Sequence, residues 1–399
     1  NRTLSCVEDS SLRFVVSNTT EAGIAHVDES LVAGKCPNSF PAKVAALLWH
    51  RFQKLGGDSN TGLVFLPCEL IEANGSALRS IVLQHVRAWS LPQVFIDWIE
   101  RHNHFFNTLV DRIVPGFPAT EADRLFADFG YDDPLTVAAE PFHLWVIEGP
   151  SALTDKIARE LPLREAGLDV VWTADLQPYR TRKVRILNGA HTASALAAYS
   201  AGLDTVQNMI DDNVVSRYLN KLMFDEIVPF VPLPDAERNS YAQTIMERFA
   251  NPYIRHELIS IALNSVSKWQ VRVLPTLKDY VSKYGNAPAC LSFSLAALLN
   301  FYHGSYNAEG VVIGKRGTNQ ENKPYPIKDN AEVLTVMTAA WRGWVPGNDL
   351  APLVNSLLGD ARLWGEDLNL LPGLTAQVVT RLARIKASGV KDAMAELLA

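Results

Sequence analysis

Three side chains in one short segment have the types and spacing that proton transfer to an oxygen requires. Lys183, Asn188 and His191 lie within Lys-Val-Arg-Ile-Leu-Asn-Gly-Ala-His. A lysine becomes a base near neutral pH when burial or a nearby cation lowers its pKa. If the chain is helical from about Leu187, Asn188 and His191 share a helix face, so both could donate to one oxygen while Lys183 approaches from the preceding element. The segment therefore predicts a place where an alcohol loses a proton or a ketone gains one.

The same segment also has a structural interpretation. Lys183 would then be solvated, Asn188 would cap a helix and His191 would be a satisfied core histidine. Single spacings of this kind are common in proteins, so spacing alone favours the structural interpretation.

Two polar residues in the first half of the chain are further candidates. Asn74, followed by Gly75 at a predicted strand end, could orient a polyol hydroxyl, or it could form an ordinary Asn-Gly turn. Asp111 could accept substrate hydroxyls, or it could form a local ion pair with Arg112. Both alternatives stay open at this point.

A cationic pair in the second half could recognise a carboxylate. Arg255 and His256 follow an Asn-Pro turn, and Lys268 is a more distant candidate. Arginine suits carboxylates because its guanidinium can form two parallel hydrogen bonds. A salt bridge between domains would explain the pair equally well.

Strands alternate with helices in the first half of the chain. Residues 12–16 and 62–67 are apolar runs that end in polar loops, and a helical pattern follows each run, the first from Pro41 through Leu55 and the second near residues 76–90. This alternation predicts a parallel sheet with helices on its faces. Ligands of such sheets bind beyond the carboxyl ends of the strands, where residues 17–21 and 68–74 lie.

The second half has a different character. From about residue 188, strand patterns become scarce and Ala-rich helical periodicity takes over, with a Pro- and Gly-rich loop or hairpin at 304–326. We therefore predict an α/β domain over residues 1–180 and a mostly α-helical domain over residues 181–399. No Gly-rich pyrophosphate turn precedes Leu12, so we expect the sequence to begin partway through its first domain.

Composition excludes several classes of function. The net charge is −6 and no basic block stands out, which disfavours a nucleic-acid partner. The most apolar stretch, around residues 290–302, is too short to span a bilayer. The four cysteines are far apart and form no CxxC pair, so we expect no metal site and a reducing, cytoplasmic location.

Several ordered passages resemble the polyol-specific long-chain dehydrogenase/reductase family, which includes the mannitol dehydrogenases. Its K-x4-N-x2-H pattern is matched by Lys183, Asn188 and His191. The other matching passages span nearly the whole chain: residues 13–24, 67–71, 108–114, 182–192, 201–206, 248–254 and 258–264. Long ordered matches are more specific than one short pattern, and they reverse the preference for a structural Lys183.

The resemblance implies an architecture and a mechanism. The first domain would be an α/β Rossmann-like domain, incomplete at its start, and the second mostly α-helical. Lys183 would be the general acid/base, and Asn188 and His191 would hold the reacting oxygen. Members of the family need no zinc, in agreement with the absence of a Cys/His cluster.

The resemblance also implies the binding residues. The substrate side would contain Asn74, Asp111, Arg255 and His256. The loop beside the nicotinamide of NAD would contain Ser17, Asn18, Thr19 and Glu21.

The substrate that the resemblance implies is a small hexonate or hexuronate. The matched passages favour the pair D-altronate and D-tagaturonate over D-mannonate or D-mannitol, which remain alternatives on the same scaffold. A chain that lacks the start of its cofactor domain could instead bind a sugar acid or a protein without catalysis. We expect no nucleic-acid or membrane partner; the oligomeric state stays open, with a monomer as one option.

Overall fold

The computed structural model describes residues 2–19, 23–114, 116–119, 121–253, 255–316 and 323–399. The chain divides into two compact units, Asn1–Arg180 and Thr181–Ala399. Glu21, one of the predicted cofactor-loop residues, lies outside the described residues.

The first unit contains two three-stranded sheets. In the first sheet, β1 (Phe14–Ser17), β2 (Val64–Pro67) and β3 (His104–Phe105) are parallel, as the alternation of strands and helices predicts. The second sheet contains the strands β4 (Asn107–Asp111), β5 (Leu144–Glu148) and β6 (Val170–Thr173). Only Phe106 separates β3 from β4, so the chain passes directly from one sheet into the next.

The second sheet departs from the predicted parallel arrangement. Strand β5 runs antiparallel to β4 and parallel to β6. The described residues between β4 and β5 contain one short helix, Ala122–Phe129, which buries only Ala122. Such a helix cannot pack back across a sheet as a parallel crossover requires, so β5 returns in the opposite direction.

Helices surround these sheets. They are α1 Arg2–Glu8, α2 Phe40–Leu55, α3 Asn74–Ala88, α4 Gln93–His102, α5 Ala122–Phe129 and α6 Ser151–Glu160, followed by α7 Gln177–Arg182 at the boundary of the units. The Ser39 hydroxyl accepts a hydrogen bond from the Ala42 amide at the start of α2, and Gly56 ends the helix in the left-handed conformation. The prediction of a helix from Pro41 through Leu55 is confirmed.

A buried arginine fixes the approach to β1. Arg51 on α2 is fully buried, and its guanidinium donates to four backbone carbonyls, those of Val7, Asp9, Leu12 and Thr61, at 2.7–3.1 Å. A guanidinium carries five donors and no acceptor, so carbonyl oxygens can satisfy it without a carboxylate.

The second unit is mostly α-helical. Its α-helices are α8 Ala190–Ser200, α9 Val206–Asp211, α10 Asn213–Lys221, α11 Asp235–Phe249, α12 Leu258–Ile261, α13 Ser265–Arg272, α14 Leu274–Tyr284, α15 Ala289–Phe301, α16 Ala331–Arg342, α17 Ala351–Leu358, α18 Ala361–Trp364, α19 Leu374–Ser388 and α20 Val390–Leu397. Its described residues also form the π-helices Lys183–Gly189 and Leu222–Ile227 and short 3₁₀ turns at Val228–Phe230 and Leu368–Leu370; a further 3₁₀ turn, Ser59–Thr61, lies in the first unit. None of the helices in the described ranges is long and apolar enough to cross a membrane.

Helices α8 and α15 form the centre of this unit. Both are buried nearly all round, which explains why their sequences are apolar on every side. A buried carboxylate caps α15, because the two oxygens of Glu226 accept the Cys290 and Leu291 amides at 2.8 Å each. Burial raises the pKa of Glu226, and these two hydrogen bonds oppose the rise.

The described parts of the Pro- and Gly-rich segment, residues 304–316 and 323–326, form a small antiparallel sheet. Its strands are β7 (Gly304–Tyr306), β8 (Val312–Arg316) and β9 (Lys323–Pro326). Of the loop and the hairpin that the sequence allows, the hairpin is the one observed, extended by a third strand.

Candidate functional site

The segment that contains Lys183 belongs to one continuous helix. Helix α7 passes into the π-helix Lys183–Gly189, which passes into α8 at Ala190. The π-helix hydrogen bond joins residues five apart, so Lys183 and Asn188 lie one turn apart on one face. Lys183 therefore does not approach from a preceding element, and the π-turn supplies the alignment that an α-helix would not give.

A close helix contact fixes the end of the π-turn. Gly189 lies against α13, where a β-carbon at this position would lie 3.1 Å from the carbonyl oxygen of Arg272. The wider π-turn and the absence of a side chain let the two backbones approach. π-turns are concentrated at functional sites, so their presence here agrees with a functional segment.

His191 lies in an aromatic cleft one turn further on. It is 8% exposed, its ring stacks on Phe249 at 4.1 Å, and the ring of His256 meets it edge-on at 5.2 Å. Its Nε2 is buried and forms no hydrogen bond with any group of the described residues. Burial lowers the pKa of His191, and His256, Arg248 and Arg272 add to that effect, so the ring is neutral at pH 7.

Arg255 and His256 lie on the loop before α12 and point in different directions. The side chain of Arg255 is 77% exposed, and its Nε donates to the Glu257 carboxylate at 2.5 Å. His256 faces His191, and burial lowers its pKa. Arg255 also lines a polar cavity of about 400 Å³ with Thr205 and Asn208 among its walls.

Two further cations belong to the same region. Lys268 on α13 donates to the Ile261 carbonyl at 3.0 Å, and burial, followed by the charge of Arg272, lowers its pKa. Burial also lowers the pKa of Arg272. Because they are four residues apart, both lie on one side of α13. This spacing is visible in the sequence, but the sequence-based prediction includes Lys268 and lacks Arg272.

The predicted cofactor loop follows β1 in the first unit. Glu69 is 2% exposed, and its carboxylate accepts hydrogen bonds from the Ser17 hydroxyl at 3.1 Å, the Thr19 hydroxyl at 2.8 Å and the Thr19 amide at 3.0 Å. Asn18 between them is exposed. Glu69 is not among the residues predicted from the sequence, because nothing in a lone glutamate after a strand indicates which loop it will meet.

Asn74 is fully used by the backbone around it. Its amide nitrogen is within 3.0 Å of the carbonyl oxygens of Pro67, Glu69 and Thr108, and its oxygen accepts the amides of Gly75 and Thr108. It opens helix α3 instead of forming a turn. The geometry gives Asn74 a structural role, and contact with a substrate stays a prediction.

Asp111 is 2% exposed at the end of β4. The neighbouring Arg112 donates its Nε to the carbonyl of Glu140 at 3.0 Å, while the Glu140 carboxylate accepts the Ile113 amide at 2.6 Å. The role of Asp111 stays a prediction.

Within each unit the structure thus brings some predicted residues together. His191 and His256 are in ring contact in the second, and Ser17 and Thr19 share the carboxylate of Glu69 in the first. Across the ranges that the structure describes, no group of three or more His, Cys, Asp or Glu side chains is arranged to hold a metal ion.

Two family models match the chain. The mannitol dehydrogenase Rossmann domain matches residues 5–160, and the mannitol dehydrogenase C-terminal domain matches residues 175–386. Together they confirm the predicted fold class, an α/β Rossmann-like domain followed by a mostly helical domain.

Curated relatives are more than two fifths identical to this chain over the aligned residues. Altronate oxidoreductase of Halalkalibacterium halodurans is 42% identical over 97% of this chain and 74% of its own length. The protein of the same name from Bacillus subtilis is 43% identical over 96% and 74%. A third, from Yersinia pestis, is 43% identical over 98% and 78%.

Two solved structures share the fold at low identity. D-sorbitol dehydrogenase in substrate-free form superposes with a TM-score of 0.75 at 22% identity, covering 98% of this chain and 77% of that one. Mannitol 2-dehydrogenase of Pseudomonas fluorescens, in a ternary complex with NAD and D-mannitol, gives 0.64 at 22% identity, covering 100% and 76%.

Proposed function

The chain belongs to the mannitol dehydrogenase family, and from this premise we propose that it interconverts D-altronate and D-tagaturonate with NAD. The family and the relatives make it an NAD-dependent dehydrogenase of polyols or sugar acids. The altronate-acting relatives, at 42–43% identity over nearly the whole chain, support the choice of substrate. In the oxidative direction, the alcohol carbon loses a hydride, the hydroxyl loses a proton and a ketone forms.

The described residues fit a nicotinamide cofactor at the carboxyl ends of β1 and β2. Ligands of parallel sheets bind at this edge, and Glu69 holds the loop there by accepting from Ser17 and Thr19. The cofactor, when bound, accepts or donates the hydride. We propose that Ser17, Asn18 and Thr19 contact it; Glu21, predicted with them, belongs to the part of the chain that the structure does not describe.

His191 supplies the single observation that carries the mechanism. A buried nitrogen without a hydrogen-bond partner costs about 1–3 kcal/mol, so its presence calls for an explanation, and in a segment that matches the family's catalytic pattern a ligand is one. We assign the missing partner to the reacting oxygen of the substrate. Because the ring is neutral, it can donate one hydrogen bond without adding a full charge.

Lys183 and Asn188 complete the proposed machinery. They lie on one face of the π-turn that leads into α8, the helix of His191. In oxidation, Lys183 takes the hydroxyl proton while Asn188 and His191 donate to the oxygen as its negative charge grows. In reduction, protonated Lys183 returns the proton to the same oxygen.

The hexonate carboxylate would meet the cations of the loop before α12 and of α13. Arg255 lines a polar cavity and keeps donors beyond the one given to Glu257. His256 contacts the ring of His191, and the charge of Arg272 acts on His191. Lys268 lies on α13 together with Arg272. We propose that Arg255 and His256 contact the substrate. We propose that Asn74 and Asp111 of the first unit are also substrate-binding residues. The amide of Asn74 is hydrogen-bonded to the backbone, so it would act by positioning the backbone around it.

Initial rates test the proposed function. D-altronate, D-mannonate and D-mannitol at equal concentration are each supplied with NAD and then with NADP. We expect kcat/KM to be highest for D-altronate with NAD. A preference for D-mannonate or D-mannitol would overturn the substrate, and reduction of neither cofactor with any of the three would overturn the dehydrogenase itself.

The described cysteines add one inference about location. Cys6, Cys36, Cys68 and Cys290 are all free thiols. We infer a reducing compartment such as the cytoplasm, because exposed thiols persist there.

A further inference from the structure

A second cavity lies in the helical unit, between the β7–β9 sheet and helices α16 and α19. It has a volume of about 510 Å³, within the range of about 300–1,000 Å³ typical of small-molecule sites. We call it the Lys386 pocket. Its charged and aromatic lining residues are His303, Lys315, Trp341, Arg342 and Lys386.

The Lys386 pocket is separate from the region of His191. Neighbouring side chains of a strand point to opposite faces of the sheet. Lys315 of β8 lines the pocket, whereas Arg316 pairs with Asp204 at 2.7 Å and stacks on Tyr199 at 4.4 Å. The lining includes neither Lys183 nor any other residue proposed above to contact substrate or cofactor.

The pocket is positively charged and uncompensated. Lys315, Arg342 and Lys386 line it together, and its described lining contains no aspartate or glutamate. Among the described ion pairs, none involves any of these three cations, although Arg384 on α19 is paired with Glu396. In a protein of net charge −6, such a cluster creates a local field that attracts anions.

Helix dipoles account for only part of this arrangement. Arg342 and Lys386 lie in the last turns of α16 and α19, where cations are favoured. A dipole does not require a cation to leave water, yet burial lowers the pKa of Lys386 to about 8. Lys386 also lies 4.4 Å from the ring centre of Trp341 and 2.8 Å from Nδ1 of His303, so its charge is held in place on the pocket wall.

The wall is rigid and carries unused polar groups. The ring of His303 stacks on Trp341 at 4.2 Å, and the Trp341 indole donates to the Leu299 carbonyl at 3.0 Å. Asn300 and Ser305 line the pocket, and their side chains form no hydrogen bond with other described residues. An amide and a hydroxyl beside three cations suit a ligand that carries hydroxyls as well as a negative charge.

We propose that the Lys386 pocket binds a small polyhydroxylated anion, a sugar phosphate or a sugar acid, at a site distinct from the Lys183 segment. Arg342, Lys315 and Lys386 contact the anionic group, and Asn300 and Ser305 contact hydroxyls. This inference does not depend on which alcohol the enzyme oxidises.

Calorimetric titration of the full chain tests the proposal. The probes are glucose 6-phosphate, gluconate and inorganic phosphate at low ionic strength, and the proteins are the wild type, Lys386→Met and Arg342→Gln. Arg384→Gln is the matched control, because Arg384 is an exposed, paired cation on the same helix as Lys386. Thermal midpoints of all four proteins establish that each is folded.

We expect at least one of the two sugar anions to bind the wild type. Lys386→Met and Arg342→Gln should each weaken that binding about tenfold or more, the loss of one charge-assisted hydrogen bond, while Arg384→Gln leaves it unchanged. Binding of glucose 6-phosphate alone would assign the phosphate, and binding of gluconate alone the carboxylate, if both variants weaken it. Equal affinity in the folded variants, no binding of either sugar anion, or equal affinity for inorganic phosphate would overturn the proposal.

Discussion

Two residues predicted for the site, Asn74 in the first unit and His191 in the second, differ in how their buried polar atoms are bonded. In the first unit, Asn74 and Glu69 are saturated with hydrogen bonds to their own backbone and loop. In the second, His191 presents a buried nitrogen that forms no hydrogen bond with a described group. Asn74 and Glu69 are thus bonded as structural residues, whereas His191 keeps a nitrogen to which a ligand can bond.

The contrast has an energetic reason. A satisfied polar group contributes about 1 kcal/mol per hydrogen bond, whereas an unsatisfied buried group costs about 1–3 kcal/mol. Of these two residues, Asn74 should therefore matter more for stability and His191 more for turnover. Each prediction below tests one side of this division.

The largest of these effects is expected for His191→Phe. Phenylalanine keeps the ring stack on Phe249 but removes both nitrogens, so turnover should fall about 10²–10³-fold, as when one oxyanion donor is lost. The thermal midpoint should not fall, because the unsatisfied nitrogen is gone. Steady-state kinetics and calorimetry measure the two quantities.

His85→Phe is the matched control. His85 in the first unit is also buried, with an unpartnered Nε2 and a stacked ring neighbour, His26. It has no role in the proposed chemistry, so turnover should stay within about twofold of the wild type, a change of less than 0.5 kcal/mol. Equal losses of turnover in His85→Phe and His191→Phe would contradict the proposal that His191 binds the reacting oxygen.

Asn74→Ala should produce the larger loss of stability. Its amide links the end of β2 to the start of β4 through Pro67 and Thr108, and the deletion leaves backbone groups unsatisfied. We expect unfolding to become easier by about 2–4 kcal/mol, measured by urea denaturation.

The matched change is Asn60→Ala. Asn60 is exposed, and its side chain makes one hydrogen bond, to Asp58. Its loss should cost at most about 0.5 kcal/mol. Equal urea midpoints for Asn74→Ala and Asn60→Ala would show that the hydrogen bonds of Asn74 do not stabilise the first unit.

The smallest effect is a dependence of stability on pH. Burial lowers the pKa of His191 and of His256 below the unfolded value of about 6.5. Below about pH 6.5 the unfolded chain binds more protons than the folded one. The free energy of unfolding therefore decreases as the pH is lowered below about 6.5, and it is level above that pH. Thermal midpoints between pH 5 and 8 should show this slope, and His191→Phe should reduce it; an unchanged slope would contradict the buried neutral ring.

Sequence periodicity predicted the elements better than their connections. The predicted start of α2 at Pro41 and the change to helices near residue 188 agree with the structure. The antiparallel pairing of β4 and β5 was missed, because strand direction depends on how a long connection packs. Residue patterns report local conformation and carry no direct record of that packing.

The candidate site shows the same limit. Asn188 and His191 were expected on one helix face, but the π-turn that brings Lys183 onto their helix has no sequence signal that we recognised. The hydrogen bond from the Ser17 hydroxyl to the Glu69 carboxylate joins residues that are 52 apart in the sequence. The Lys386 pocket is lined by four separate segments of the chain. Such assemblies arise only from tertiary packing.

Turnover of Lys183→Ala tests the proposed role of Lys183 as the general acid/base. D-altronate oxidation by NAD is compared in the wild type, in Lys183→Ala and in Lys221→Ala, which removes an exposed lysine paired with Asp225. Stabilisation by added NADH shows whether each variant still binds cofactor. We expect turnover to fall about 10²–10⁴-fold for Lys183→Ala alone, with NADH stabilisation retained. Turnover of Lys183→Ala within about threefold of the wild type would contradict that role, since so small a change corresponds to less than 1 kcal/mol of the barrier.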